Sequence, residues 1–183
     1  ALIRFPFDLE RRGQARMSDE IGRALRQGSP ALVHAPTGSG KTAGALVPAL
    51  RFALERGHPL LFVTAKTTQQ ALAADTLRAV AERSGLTGSA GASFSSVTLR
   101  AKEQMCATGT LQCHPELCGH LRDFDGKLAR SGIVSELLEQ PHVDPDTVFN
   151  AGKRLTICPF GLQLAAAAAA QAVVGDYNYA FDP

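Results

Sequence analysis

The sequence predicts an α/β fold in which a parallel sheet is flanked by helices, with a small, mainly helical module inserted into it. Three short apolar runs, at residues 31–34, 60–64 and 172–175, have the length of buried strands. The order strand, loop, helix, strand, helix in the first half of the chain is typical of a parallel α/β sheet. Hydrophobic residues make up 45% of the 183 positions, which is enough to build a core.

Helical periodicity and helix-stopping glycines locate the helices of this frame. The apolar residues of 42–56 recur at helical spacing until Gly57, and residues 67–83 form a second such segment that ends before Gly85. Three further helices are predicted in the second half of the chain, at residues 132–140, 145–154 and 160–171.

The net charge is only +2, but the charges are unevenly distributed. Residues 1–98 hold twelve Lys and Arg against seven Asp and Glu, whereas residues 99–160 hold seven against eight. The positive first half favours phosphate ligands, although a solvated basic face gives the same count. No apolar run is long enough to cross a bilayer and no signal sequence opens the chain, so we expect a soluble cytoplasmic protein with no membrane partner.

A glycine-rich loop lies between the first predicted strand and the first predicted helix. Its sequence, APTGSGKT at residues 35–42, matches a phosphate-binding P-loop at every position except the first, where Ala35 replaces glycine. Glycines let the backbone N–H groups point at phosphate oxygens, and the helix N-terminus adds a positive dipole. Lys41 is placed to reach the β- and γ-phosphates of ATP, and the Thr42 hydroxyl to bind Mg²⁺, which makes these two the candidate catalytic residues. The predicted nucleotide-binding residues of the loop are Pro36, Thr37, Gly38, Ser39, Gly40, Lys41 and Thr42.

All four cysteines lie in the second half of the chain, at Cys106, Cys113, Cys118 and Cys158. Without a secretion signal, disulfides are not expected. Four thiolates suit a [4Fe–4S] cluster. The absence of Cys-x2-Cys weakens a zinc site, which His114 or His120 could still complete, and buried free thiols are common. The spacing alone leaves these three alternatives open.

The loop at 35–42 resembles motif I of superfamily 2 helicases, and other segments narrow the resemblance to iron–sulfur DNA helicases of the XPD/DinG type. Residues 11–17 (RRGQARM) resemble the Q-motif of that family, in which the glutamine that corresponds to Gln14 recognises the adenine edge. Residues 64–67 (TAKT) resemble motif Ia, which holds the DNA backbone. The resemblance therefore implies Thr64, Lys66 and Thr67 as DNA-binding residues.

The same family carries a four-cysteine iron–sulfur domain between motifs Ia and II. Residues 99–106 (LRAKEQMC) resemble its entry, Cys158-Pro159 its exit, and residues 176–183 (DYNYAFDP) the segment before motif II. The resemblance implies that the four cysteines hold a structural [4Fe–4S] cluster. It also implies a RecA-like P-loop domain at 1–98 and 161–183, with the cluster module inserted at 99–160. The candidates for strand contacts in the module are Arg100, Lys102, Lys153 and Arg154, although solvated charges would look the same.

The implied activity is that of a monomeric, ATP-dependent motor that moves 5′→3′ on single-stranded DNA and opens duplexes or junctions. Motif II is missing, because the sole Asp-Glu dipeptide, Asp19-Glu20, lies upstream of the P-loop with the wrong neighbours. We therefore expect the chain to be part of a longer protein and to be inactive alone. The alternatives are another P-loop NTPase with a zinc module and a non-catalytic nucleic-acid-binding module.

Overall fold

The computed structural model describes residues 3–8, 11–87 and 94–181, which contain eight helices and three strands. In chain order these are α1 (Gln14–Gln27), α2 (Lys41–Arg56), β1 (Leu60–Val63), α3 (Thr67–Arg83), β2 (Ser96–Thr98), α4 (Phe124–Ser131), α5 (Ile133–Leu138), α6 (Pro145–Leu155), α7 (Pro159–Ala169), β3 (Ala172–Gly175) and α8 (Asn178–Phe181). The five helices predicted from periodicity all form, within a few residues of the expected bounds. No helix among the described residues is both long and apolar enough to cross a membrane.

The three strands form a parallel sheet in the order β1–β3–β2. The central strand β3 pairs with both neighbours, so that Ala172 lies beside Leu60 of β1 and beside Ser96 of β2. All four residues of β3 are buried, as expected for the centre of a parallel sheet with both faces covered. The predicted fold class, a parallel sheet flanked by helices, is confirmed.

Alternate residues of β3 enter two different hydrophobic cores, because successive side chains of a strand point to opposite faces. Ala172 and Val174 pack with α2 and α3 in a first core. Val173 belongs to a second core, which also contains Met105 and Val148 from the predicted module. The module at 99–160 is thus packed directly on the sheet, opposite α2 and α3.

The predicted strand at residues 31–34 does not form. These residues have no strand assignment and no partner strand in the described sheet, and Leu32 is fully exposed (102%). An apolar run becomes a strand only if its backbone N–H and C=O groups find a neighbouring strand. In the described sheet β1 and β2 each pair with β3, and the run before the P-loop pairs with the free edge of neither strand.

Candidate nucleotide and nucleic-acid sites

The glycines of the P-loop adopt the backbone conformation that the predicted motif requires. Gly38 has φ 82° and Gly40 has φ 78°, in the left-handed region that side-chain-bearing residues rarely adopt. Gly40 is the N-cap of α2, and Lys41 is the first residue of that helix. The loop therefore ends at the unpaired N–H groups and the positive dipole end of a 16-residue helix.

Two side chains of the loop fit a phosphate ligand. The Lys41 ammonium donates hydrogen bonds to the carbonyl oxygens of Ala35 (2.9 Å) and Pro36 (2.8 Å) and is exposed, so that it lies at the loop surface rather than in a core. The Ser39 hydroxyl oxygen is buried and has no hydrogen-bond partner among the described residues. Because a buried polar atom without a partner costs free energy, a phosphate oxygen at this position would satisfy it.

Gln14, the first residue of α1, is bound to the P-loop. Its side chain is almost fully buried, its Nε2 donates to the Gly40 carbonyl (2.8 Å), and its Oε1 accepts from the Arg11 backbone N–H (2.9 Å). The Arg11 guanidinium in turn donates to the Gly38 carbonyl. An amide has a second N–H and a second oxygen lone pair, but the 2% exposure of Gln14 means that its side chain must be uncovered before it can contact a base. Its recognition of adenine stays a prediction.

The segment predicted to hold DNA connects β1 to α3. The Thr64 N–H donates to the Gly175 carbonyl of β3 (3.1 Å), which places the segment at the carboxyl edge of the sheet. Lys66 is the N-cap residue of α3 and is exposed, and Thr67 is the first helical residue. Ligands of parallel α/β sheets usually bind at this edge. The position suits the predicted backbone contacts of Thr64, Lys66 and Thr67, which themselves stay predictions.

A groove of ≈ 720 Å³ lies between α3 and the start of the module. Its volume falls within the roughly 300–1,000 Å³ typical of ligand sites. We call it the α3 groove; its lining includes Thr67, Arg78, Arg100, Lys102, His142 and Tyr179. Because these residues come from distant parts of the chain, no sequence motif marks the groove. Arg100 and Lys102 were candidates for strand contacts, and the fold brings them together with Thr67 of the motif Ia segment.

The four cysteines line one small cavity, together with His120 and Phe160. Three of them lie in the turns of residues 106–118, and Cys158 is the N-cap of α7. Lys127 joins these two parts, since its ammonium donates to the carbonyl oxygens of Gly119 (2.7 Å) and Thr156 (2.7 Å). The fold therefore gathers a set of thiols that the sequence separates by up to 52 positions.

All four thiols are free, and one ionises more readily than an ordinary thiol. A hydrogen bond from the Thr108 hydroxyl lowers the pKa of Cys106 to about 7. Thiolates are the form that binds metals. As the side chains stand, however, no group of three or more His, Cys, Asp and Glu among the described residues is close enough to hold a metal ion. The donor chemistry fits a four-thiolate cluster, whereas a formed coordination sphere is not present.

A P-loop at the start of a helix that packs on a parallel sheet covered on both faces is typical of a nucleoside-triphosphate-binding α/β domain. Residues 12–117, more than half of the chain, match the family model described as DEAD/DEAH box helicase. The chain belongs to this helicase family, and the predicted membership in the superfamily 2 helicases is confirmed.

Two individual proteins are similar to this chain. A protein of Methanocaldococcus jannaschii named as a probable ATP-dependent helicase is 42% identical over 67 residues, which cover 37% of this chain and 10% of that protein. The solved structure of an XPD helicase superposes with a TM-score of 0.57 at 17% sequence identity, covering 96% of this chain and 29% of that one. At this identity the likeness shows the fold alone, and it confirms the helicase-type α/β fold, while the iron–sulfur module stays a prediction. The chain spans about a tenth of the curated relative and less than a third of the XPD helicase.

Proposed function

We propose that the full-length protein is an ATP-dependent DNA helicase that moves on single-stranded DNA and opens duplexes. The observation that carries this proposal is the P-loop at 35–42, with left-handed Gly38 and Gly40, in a chain of the DEAD/DEAH box helicase family. Polarity from 5′ to 3′, action on junctions and a monomeric motor follow from the resemblance to XPD/DinG-type helicases.

In this proposal the P-loop binds the phosphates of ATP. Lys41 exchanges the carbonyl oxygens of Ala35 and Pro36 for β- and γ-phosphate oxygens, and the buried Ser39 hydroxyl gains a partner. The Thr42 hydroxyl holds Mg²⁺, which supplies positive charge against the phosphates when it is bound. Gln14 recognises the adenine edge with the hydrogen-bonding capacity that its two backbone contacts leave free.

The DNA strand lies at the carboxyl edge of the sheet, where Thr64, Lys66 and Thr67 bind its backbone. Two hydroxyls and an ammonium near the start of α3 can donate hydrogen bonds to phosphate oxygens. Such phosphate contacts position a protein on a strand without selecting a sequence. The exposure of Lys66 supports this role, since no packing has to be given up for the ammonium to reach a strand.

The cysteine cavity holds a structural [4Fe–4S] cluster in our proposal, with Cys106, Cys113, Cys118 and Cys158 as ligands. The support is the convergence of four free thiols on one cavity inside a helicase-family chain. The cluster would cross-link turns that few regular elements stabilise, within a module at 99–160 between the two parts of a RecA-like domain at 1–98 and 161–183. A zinc ion is the alternative to the cluster in the cysteine cavity, and measuring the iron content distinguishes the two.

The experiment is an ATPase assay on the full-length protein with and without single-stranded DNA. We expect DNA to stimulate hydrolysis and Lys41→Ala to reduce it by at least about 10²-fold, because a charge that stabilises the transition state is lost. The matched control is Arg23→Ala, which removes an exposed cation of α1 outside the P-loop. No stimulation by DNA, or hydrolysis by Lys41→Ala at the wild-type rate, would contradict the proposal.

A further inference from the structure

The α3 groove contains one arginine whose backbone is held unusually firmly. The Arg100 N–H donates to Gln163 Oε1 (3.1 Å), and the Arg100 carbonyl accepts from Gln163 Nε2 (2.7 Å) and from the Tyr179 hydroxyl (2.9 Å). Gln163 is fully buried in α7, so a core amide satisfies both backbone groups of a single residue. Since β2 ends at Thr98, these side chains replace the strand pairing that Arg100 lacks.

We call the hydrogen bonds of Gln163 and Tyr179 to the Arg100 backbone the clamp. The clamp fixes the position from which the Arg100 side chain enters the groove. The guanidinium is partly exposed (31%) and forms an ion pair with the Asp146 carboxylate at 2.6 Å. A guanidinium binds carboxylate and phosphate oxygens with the same planar geometry. The carboxylate therefore occupies a place that a phosphate group could take.

Asp146 differs from the two carboxylates that line the groove. Asp144 caps α6 by accepting from the N–H groups of Asp146 (2.9 Å) and Thr147 (3.0 Å). Asp176 accepts from the N–H of Asn178 (3.0 Å). The Asp146 carboxylate, by contrast, bonds to Arg100 across the structure and is 73% exposed, so it can leave without breaking a helix cap.

We propose that Arg100 binds a phosphate of the single strand in the α3 groove, and that Asp146 competes with that phosphate for the guanidinium. The inference rests on the proposed function and names a residue pair that sets the strength of strand binding. The neighbourhood suits an extended strand, because Thr67 of the motif Ia segment, Lys102 and the aromatic Tyr179 line the same groove. Exposed ion pairs contribute little stability, so a phosphate can displace the carboxylate.

The two partners of this ion pair therefore have opposite expected effects on strand binding. Arg100→Ala loses a phosphate contact and weakens the binding of an oligothymidine to the full-length protein. Its log–log salt slope becomes flatter by roughly 0.7, the value for one single-strand phosphate. Asp146→Asn removes the competitor and tightens binding about two- to fivefold, the range expected for an exposed charge. The assay is fluorescence anisotropy over a series of salt concentrations.

Arg23 and Glu20 form a matched control pair. Their exposed ion pair (2.8 Å) lies within α1, and neither residue lines the groove. We expect Arg23→Ala and Glu20→Gln each to change affinity less than the corresponding groove variant. Misfolding of Arg100→Ala would also weaken strand binding. A gain of affinity in Asp146→Asn cannot result from misfolding, so this second variant tests the proposal independently.

The outcomes separate this inference from the function on which it rests. If the wild-type protein does not bind the oligothymidine, the proposed function fails. If wild type binds and Lys66→Ala flattens the salt slope, but Asp146→Asn binds no more tightly than wild type, the competition between Asp146 and phosphate is wrong. An unchanged slope in Arg100→Ala would remove Arg100 from the strand contacts.

Discussion

The P-loop and the cysteine cavity are built in opposite ways. The P-loop is eight consecutive residues whose shape depends on the φ angles of Gly38 and Gly40. The cysteine cavity collects four thiols from residues 106–158, and long-range contacts such as those of Lys127 bring them together. A local site can be altered with little effect on the fold, whereas a site built by the fold cannot lose a part without loosening its surroundings.

The largest expected effect is at the cysteine cavity. Cys158→Ser should lose the cluster, with a fall from about four iron atoms per chain and loss of the brown visible absorption. Since cluster binding stabilises the fold of its module, residues 100–158 should exchange their amide hydrogens faster. The P-loop should stay protected. The measurements are iron analysis, visible spectra and hydrogen exchange, all on anaerobically prepared full-length protein.

His120→Ala is the matched control, because His120 lines the same cavity without being a predicted ligand. We expect this variant to keep its iron. Stoichiometric zinc without iron in the wild-type protein would show the cluster assignment to be wrong and would make a zinc site with a histidine ligand the better account.

A smaller effect is expected in the P-loop. Gly40→Ala forces a side chain into φ 78°, which costs about 1–2 kcal/mol. Its Cβ would also lie 2.4 Å from Gln14 Nε2, so the amide must move away from the loop. We expect weaker ATP binding, measured by calorimetry, with the iron content unchanged. The contrast with Cys158→Ser is then complete, because nucleotide binding is weakened while the module is kept.

Gly38→Ala separates the two causes of that effect. Gly38 has φ 82° within the same P-loop, and an added Cβ would meet nothing within 4 Å. It therefore carries the same backbone strain without the contact to Gln14. Equal ATP affinity in the two variants would mean that the fit between Gly40 and Gln14 is unimportant for nucleotide binding.

The same contrast explains which features the sequence could predict. Helical periodicity located α2, α3 and α6 to within a residue or so, because burial of one helix face is a local pattern. The predicted strand at 31–34 was wrong, because an apolar run forms a strand only where it pairs with a neighbouring strand. The strand β2 was not predicted, because three residues in the polar stretch before Leu99 form it only through pairing with β3.

The sites divide in the same manner. Motif spacing predicted the glycine conformations of the P-loop, because the left-handed φ angles of Gly38 and Gly40 belong to a local pattern, whereas the nucleotide contacts of its residues stay predictions. Neither the bond from Gln14 to Gly40 nor the clamp of Gln163 on Arg100 could be predicted, since their partners are 26 and 63 positions apart. A buried glutamine in α7 leaves no recognisable pattern in the sequence. The α3 groove was missed for this reason, although two of its cations were named as candidates.

The smallest effect near neutral pH concerns His142, which ties the module to the sheet. The Ser96 hydroxyl is bonded to its Nδ1 (2.8 Å) and the Thr98 hydroxyl to its Nε2 (3.1 Å). Burial, and then the positive charge of Arg78, lower the pKa of His142 from 6.5 to about 4, although Asp144 and other carboxylates act in the opposite direction. The folded protein therefore keeps this histidine neutral over most of the acidic range.

The sign of the pH effect follows from that lowered pKa. Between about pH 4 and 6.5 the unfolded chain binds a proton that the folded chain does not, so stability falls as the pH falls through this window. The loss is on the order of 1 kcal/mol at pH 6 and grows as the pH falls further towards 4. His142→Asn cannot titrate, so its denaturation midpoints at pH 7, 6 and 5 should differ less than those of wild type. His58→Asn, which replaces an exposed histidine, is the control and should follow wild type.

Hydrogen exchange shows which region of the protein loosens. Acid should loosen β2 and residues 141–143, which are paired through Val97 and Val143, before it affects α2. Equal pH dependence in wild type and His142→Asn would mean that His142 does not couple protonation to the packing of the module on the sheet.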